Sequence, residues 1–199
     1  MWLFVTPIIS ALIVLMFPKR GIKIAAVCAS LIPLMMLIKY WAVLSQMSIL
    51  YHWIPALSID FHIRFDSLSS VFVLLTALLV PVSFLTTQSE KLISPKLFYS
   101  LGLLLQGLLI GFFTARDLAL FTFFYEAMLI PVYCMVVVWG GVDGKRVGLK
   151  FLIYMMAGSV LLVAAILSLY FTSSTIATAG TFSIDILSMI AIKTPFSIV

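Results

Sequence analysis

The sequence predicts an all-α integral membrane protein of six transmembrane helices, with its N-terminus on the outer side. Three observations carry this. First, 64% of the 199 residues are apolar and only 10% are charged, where a soluble domain carries about 25% charge. One soluble core of this length has too little interior for so much apolar surface, and a disordered chain needs the opposite composition. Second, the apolar residues fall into six runs, each close to the length of about 20 residues that a spanning helix requires. Third, positive charge alternates from one connector to the next.

The runs occupy 1–17, 24–43, 68–85, 97–113, 118–139 and 151–171. The first opens on Met1-Trp2-Leu3-Phe4-Val5, and Pro18, Lys19, Arg20 and Lys23 follow it. A secretory signal peptide carries its charge before the apolar stretch, so this run reads as a retained helix. The second contains Pro33, where a kink is expected, and Lys39, within snorkelling reach of an interface. The long connector 44–66 comes next. In it Ser58 to Asp66 alternates strictly, placing Ile59, Phe61, Ile63 and Phe65 on one face. That is the pattern of a half-buried strand on the outer surface of the bundle. His52 and His62 lie in this connector without other ligands near them in sequence, and read as surface or interface histidines. The fourth run holds Gln106 beside Gly107-Leu108-Leu109-Ile110-Gly111, a pattern that marks close helix packing. The other connectors are short, which makes successive helices antiparallel neighbours, and 172–199 reads as an outer tail. No linker or composition shift divides the chain, so a single membrane domain is expected.

The connectors after the first, third and fifth runs carry Lys19, Arg20, Lys23, Lys91, Lys96, Lys145, Arg146 and Lys150, eight of the twelve Lys and Arg residues. Arg64, Arg116, Lys193 and Lys39 fall on the other side. The positive-inside rule turns the eight toward the cytoplasm or matrix. The net charge of +5 is therefore a topology signal, and nucleic acid is not the expected partner. Cys28 and Cys134 sit in apolar runs with no CxxC, which supports neither a disulfide framework nor a metal site. GxGxxG, P-loop, HExxH and GxSxG motifs are all absent from the sequence, so no cofactor or metal site is expected in this chain.

Glu126 is the residue that carries chemistry. It lies nine residues after Asp117 and thirteen before Trp139, near the middle of the fifth run. An acidic group there costs on the order of 3 kcal/mol to insert, and such groups are functional by default. Hydrocarbon favours a neutral acid, and a neighbouring ammonium favours the carboxylate. A carboxyl set between those influences can take up and release a proton as its partner moves. Thr122, Ile130 and Tyr133 share its face at helical spacing, and Pro131 weakens the helix beside it. Lys150 opens the sixth run at the inner boundary, with Tyr154 on its face. It reads as a snorkelling lysine or as the inner mouth of a proton path.

Phe123-Phe124-Tyr125-Glu126-Ala127-Met128-Leu129-Ile130-Pro131-Val132-Tyr133, preceded by Asp117-Leu118 and followed by Trp139-Gly140-Gly141, resembles the fifth-helix signature of the antiporter-like membrane subunits of respiratory complex I. The Glu-x-Met-Leu-x-Pro-x-Tyr form is similar to the chain M (mitochondrial subunit 4) type. Trp53-Ile54-Pro55, Phe65-Asp66-Ser67-Leu68-Ser69, Lys150-Phe151-Leu152-Ile153-Tyr154 and Thr181-Phe182-Ser183-Ile184-Asp185 resemble further stretches of the same subunits, where Gly is usual in place of Ser67.

The resemblance implies a proton-translocating subunit of NADH:quinone oxidoreductase, in a bacterial inner or mitochondrial inner membrane. Its partners would be the other membrane-arm subunits, and NADH, FMN, iron–sulfur clusters and quinone would be bound elsewhere in the complex. It also implies that Glu126 pairs with a lysine on a broken seventh helix. Such subunits have about fourteen helices, so the chain corresponds to the first six and reads as a truncated or split subunit. Lys193-Thr194-Pro195 resembles the surroundings of the seventh-helix lysine. Eight residues after Asp185 is a short run for reaching mid-bilayer, and Lys193 is read as outer-loop sequence. Two other assignments use the same residues: a subunit of a multisubunit sodium/proton antiporter or membrane-bound hydrogenase, and a non-catalytic six-helix fragment.

Overall fold

The fourth apolar run is the hub of the bundle. It forms α4 (Pro95–Thr114), started by a proline at its first position, where a missing N–H costs nothing. Around it pack α1 (Trp2–Met16), α2 (Ile22–Leu44), α3 (Ser67–Thr86) and α5 (Leu118–Trp139). Glycines allow the close approach. A Cβ at Gly107 would stand 2.6 Å from Ile8 and 2.8 Å from the Phe4 carbonyl, and one at Gly111 would stand 2.5 Å from the Phe124 ring. The Gly107–Gly111 pair thus seats α1 and α5 directly on α4. The computed structural model describes residues 2–18, 21–44, 48–55, 58–89, 92–176 and 180–193.

Among the described residues five helices are long and apolar enough to span a bilayer: Ile22–Trp41, Ser67–Thr86, Pro95–Thr114, Leu118–Trp139 and Gly144–Thr175. The first run is the exception to the expected six. Its 15 helical residues rise about 22 Å, short of the roughly 30 Å hydrocarbon core. In α2 the helical dihedrals break at Tyr40 (φ −108°, ψ 15°) and not at Pro33. Pro33 is buried in the bundle. Tyr40 is exposed beside Lys39, whose Nζ lies 5.3 Å from the Tyr40 ring centre. The long α6 (Gly144–Ile176) exceeds the expected 151–171 at both ends. Lysine and arginine are good helix formers, so Lys145, Arg146 and Lys150 continue the helix. It begins only after the turn at Gly141, whose φ is +82°.

The two ends of the bundle differ in chemistry. At one end Lys23 Nζ donates to the carbonyls of Leu85 and Thr87, both at 2.8 Å, and Lys96 Nζ to that of Leu15 at 3.5 Å. These cations meet the C-terminal carbonyls of α3 and α1, where the helix dipole favours positive charge. At the other end lies an antiparallel hairpin, β1 (Ser48–Ile54) with β2 (Ile59–Arg64), paired Ser48 to Arg64 and His52 to Asp60, with a bulge between His52 and Ile54. The alternation predicted β2 but not β1, because Ser48–Ile54 has no buried face to impose a period of two. Ile63 and Phe65 are buried as the pattern expects. His62 is buried too, against the surface reading. The α4–α5 link covers it, with the Arg116 N–H donating to the His62 carbonyl at 2.8 Å, while its Nε2 meets Ser48 Oγ at 2.9 Å.

The tail is not plain loop. Residues Ile184–Lys193 form α7, with Asp185 in the first turn, where an acidic side chain complements the N-terminal dipole. Helix α7 packs against α6.

Candidate functional site

Asp117 sets where α5 begins. It is fully buried, and its Oδ1 accepts from the N–H groups of Ala119 (2.9 Å) and Leu120 (3.1 Å). Its Oδ2 accepts from the Asp60 N–H of β2 at 3.3 Å. One carboxylate therefore caps the helix and ties it to the hairpin. Burial pushes the Asp117 carboxyl up, partly opposed by these N–H groups, and the neighbouring Asp60 charge adds to the rise. Glu126 follows nine residues later, about 13 Å farther along the axis.

Glu126 is half-buried. Its face of α5 also carries Thr122, Ile130 and Tyr133. The Tyr133 end of that face turns to α6, where a Cβ at Gly148 would stand 3.5 Å from the Tyr133 ring and 2.7 Å from Val137, while Ile130 is exposed. Phe124, on the opposite side of α5, fills the space over Gly111 and meets Phe4 edge-on at 5.9 Å. The hub thus takes the apolar side of α5, and the polar side is left for α6. Thr122 Oγ1 donates to the Leu118 carbonyl at 2.8 Å, so its oxygen can still accept from a water. Among the described residues Glu126 makes no hydrogen bond and no ion pair. Such a carboxyl can exchange a proton with a group brought to it along the α5–α6 face.

Lys150 is not that group in this arrangement. It is exposed and stands two residues from Gly148, level with Tyr133. Seven residues of α5 separate Tyr133 from Glu126, about 10 Å of rise. Tyr154 is also exposed.

Lys193 is placed differently from the loop reading. The Leu118 N–H donates to the Phe182 carbonyl at 2.9 Å, and the Ile184 N–H to the Arg116 carbonyl at 3.0 Å. A bridge between Asp117 and Ser183 completes the pairing. Helices α5 and α7 therefore start side by side. Glu126 lies eight residues beyond Leu118 and Lys193 nine beyond Ile184, about 12 and 13 Å of helix respectively.

The hairpin end also holds a charge network, of which the sequence reading used only Arg64 and Arg116, for topology. Arg116 pairs with Asp66, and its Nη1 lies 3.9 Å from Asp185. Arg64 Nη1 donates to Asp185 at 3.1 Å. Asp66 caps α3 by accepting from the Ser69 N–H at 2.6 Å. Burial opposes its charge, but the Ser69 bonds and the Arg116 guanidinium outweigh that and hold the carboxyl below its usual range. Burial lowers His62, with Arg64 and Arg116 reinforcing the shift against Asp185 and Asp60. The hairpin, α3, α5 and α7 are thereby joined at one end. Asp66 and Asp117, each directly before an apolar run, were the available signal, since that is the position of an N-cap.

Residues 115–197 match a family model described as NADH:quinone oxidoreductase/Mrp antiporter, transmembrane. The chain is 30% identical to NADH-ubiquinone oxidoreductase chain 4 of Arabidopsis thaliana, over 87% of this chain and 37% of that one. It is 35% identical to F(420)H(2) dehydrogenase subunit M of Methanosarcina mazei, over 61% of this chain and 24% of the relative. Among solved structures, respiratory complex I from Thermus thermophilus superposes with a TM-score of 0.81 at 26% identity, covering 94% of this chain and 38% of that one. The Mrp complex from Dietzia sp. shares the fold, with a TM-score of 0.77 at 16% identity over 93% of this chain and 20% of that one. The chain spans between 20% and 38% of the length of each of these proteins.

Proposed function

From the chain's homology to the antiporter-like chain 4 (M) membrane subunits of complex I, matched over their N-terminal portion, we propose that this multi-pass membrane protein translocates protons in NADH:quinone oxidoreductase. Glu126 supplies one side of the proton channel, and its protonation follows electron transfer from NADH to quinone in other subunits. The observation that carries this reading is a half-buried carboxyl at mid-helix, on the one polar face of α5, turned away from the hub and toward α6.

Residue Lys193 is the cation assigned to Glu126 in this reading, supported by the paired starts of α5 and α7. Lys150, exposed at the basic end, receives protons from the inner side. That end faces the cytoplasm or matrix and the hairpin end faces out, which puts the N-terminus of α1 outside. Six spans follow if α1 crosses with the bilayer thinned around it. The chain acts as a single membrane domain, one piece of a longer or split subunit, in a bacterial or mitochondrial inner membrane. The remaining membrane-arm subunits are its partners.

The fold shared with the Mrp complex favours one second reading, a subunit of a sodium/proton antiporter. Substituting Glu126→Gln in the assembled complex tests the first. NADH-driven proton uptake into vesicles is expected to fall at least tenfold while the subunit remains assembled. Unchanged pumping overturns the role of Glu126. Proton movement driven by a sodium gradient and indifferent to NADH selects the antiporter.

A further inference from the structure

Gln106 is the twelfth of the twenty residues of α4, at the middle of the span, and it is fully buried. Its Nε2 donates to the Ser30 carbonyl of α2 at 3.0 Å. A carbonyl only accepts, so the amide nitrogen must face it and Oε1 is the atom turned away. Oε1 is buried and meets no donor among the described residues. Three hydroxyls of the adjoining helices have already spent their protons on backbone: Ser30 Oγ donates to Val27, Thr76 Oγ1 to Phe72 and Ser100 Oγ to Ala11. Thr6 Oγ1, also buried, reaches no partner.

A second acceptor lies beside this one. Pro33 has no N–H, so the Ala29 carbonyl four residues earlier loses the donor that an ordinary helix would give it. Ala29 directly precedes Ser30, whose carbonyl holds the Gln106 amide. Gln106 Oε1, which meets no donor among the described residues, and the Ala29 carbonyl, which lacks its helical N–H, therefore stand beside neighbouring positions of α2 at membrane depth. Buried polar oxygens are rarely left without a donor. A group with two donors and the size to enter a helix–helix contact is a water molecule.

We propose that α2 and α4 hold one buried water that donates to Gln106 Oε1 and to the Ala29 carbonyl. It completes the backbone of α2 across Pro33. The site faces α2, whereas Glu126 faces α6, so it is separate from the proton path proposed above and does not depend on it.

Electron cryomicroscopy of the assembled complex, at a resolution that shows ordered water, tests this with two variants. In the native protein, density for one water is expected within about 3 Å of both oxygens. Pro33→Ala restores an N–H to the Ala29 carbonyl without disturbing the fold, and the density should weaken or vanish. Gln106→Leu should remove it. A dry native site, a protein donor seated on Oε1, or density that survives Pro33→Ala each overturns the proposal.

Discussion

The buried carboxyl of Asp117 decides how deep Glu126 sits, because it fixes the first turn of α5 and anchors that turn to β2. Asp117→Ala removes an N-cap acceptor and is expected to lower stability by about 1–2 kcal/mol, measured as a fall in the thermal midpoint of the solubilised protein. Asp117→Asn keeps an acceptor oxygen and removes the buried charge. A raised carboxyl binds its proton more tightly when folded, so its contribution to stability is greatest below its ordinary value and is lost as pH rises through the raised one. The Asn variant should lack that decline, and melting curves across the same pH range check it. Gly107 is the other residue on which the arrangement turns. Gly107→Leu must displace Ile8 or the Phe4 backbone, with an expected loss of 1–3 kcal/mol, about the usual cost of overpacking. An unchanged midpoint would mean that α1 does not rest on α4 there.

At the scale of elements, the charge network at the hairpin end links the hairpin to the helix that carries Lys193. His62 is held neutral by burial, so folding loses support as pH falls from about 6.5 toward its lowered value. Asp66 acts in the same direction at lower pH: its stabilisation is present above its ordinary value and lost as pH falls through the lowered one. Hydrogen-exchange protection in β1 and β2 should therefore decrease on acidification, before protection in α4 does. Equal loss in both would contradict the separate status of the hairpin end. The paired starts of α5 and α7 carry a sharper prediction. Cysteines at 126 and 193, in a chain with Cys28 and Cys134 replaced, should cross-link with a short bifunctional reagent. Absence of that product would remove Lys193 as the partner of Glu126.

For the whole molecule, the two ends should label from opposite sides of the membrane. A cysteine at Val142, which is fully exposed, should react from the cytoplasmic or matrix side, and one at His52 from the outside. How much of this was legible in the sequence follows from which forces are local. The α5 helix was legible because its apolar run is bounded by an N-capping aspartate and a Gly140-Gly141 stop. The ends of α6 were not, since Lys145 and Arg146 leave the hydrocarbon without leaving the helix. Strand β1 was hidden because it buries no face. Glu126 stood out by charge alone, but its orientation toward α6 depends on Gly111 and Gly148, whose partners are distant in sequence. Lys193 was read as loop, whereas α7 is helical as far as that residue. The depth at which α7 starts is set by hydrogen bonds to residues 116–118, and no local pattern reports them.

The central claim is that the Glu126 carboxyl changes protonation during turnover. Infrared difference spectra of the assembled complex, recorded as NADH reduces it, test this directly when native protein is compared with Glu126→Gln. The account predicts a carboxyl C=O band that changes on turnover in the native complex and is missing from the variant. Identical difference spectra from the two would contradict it.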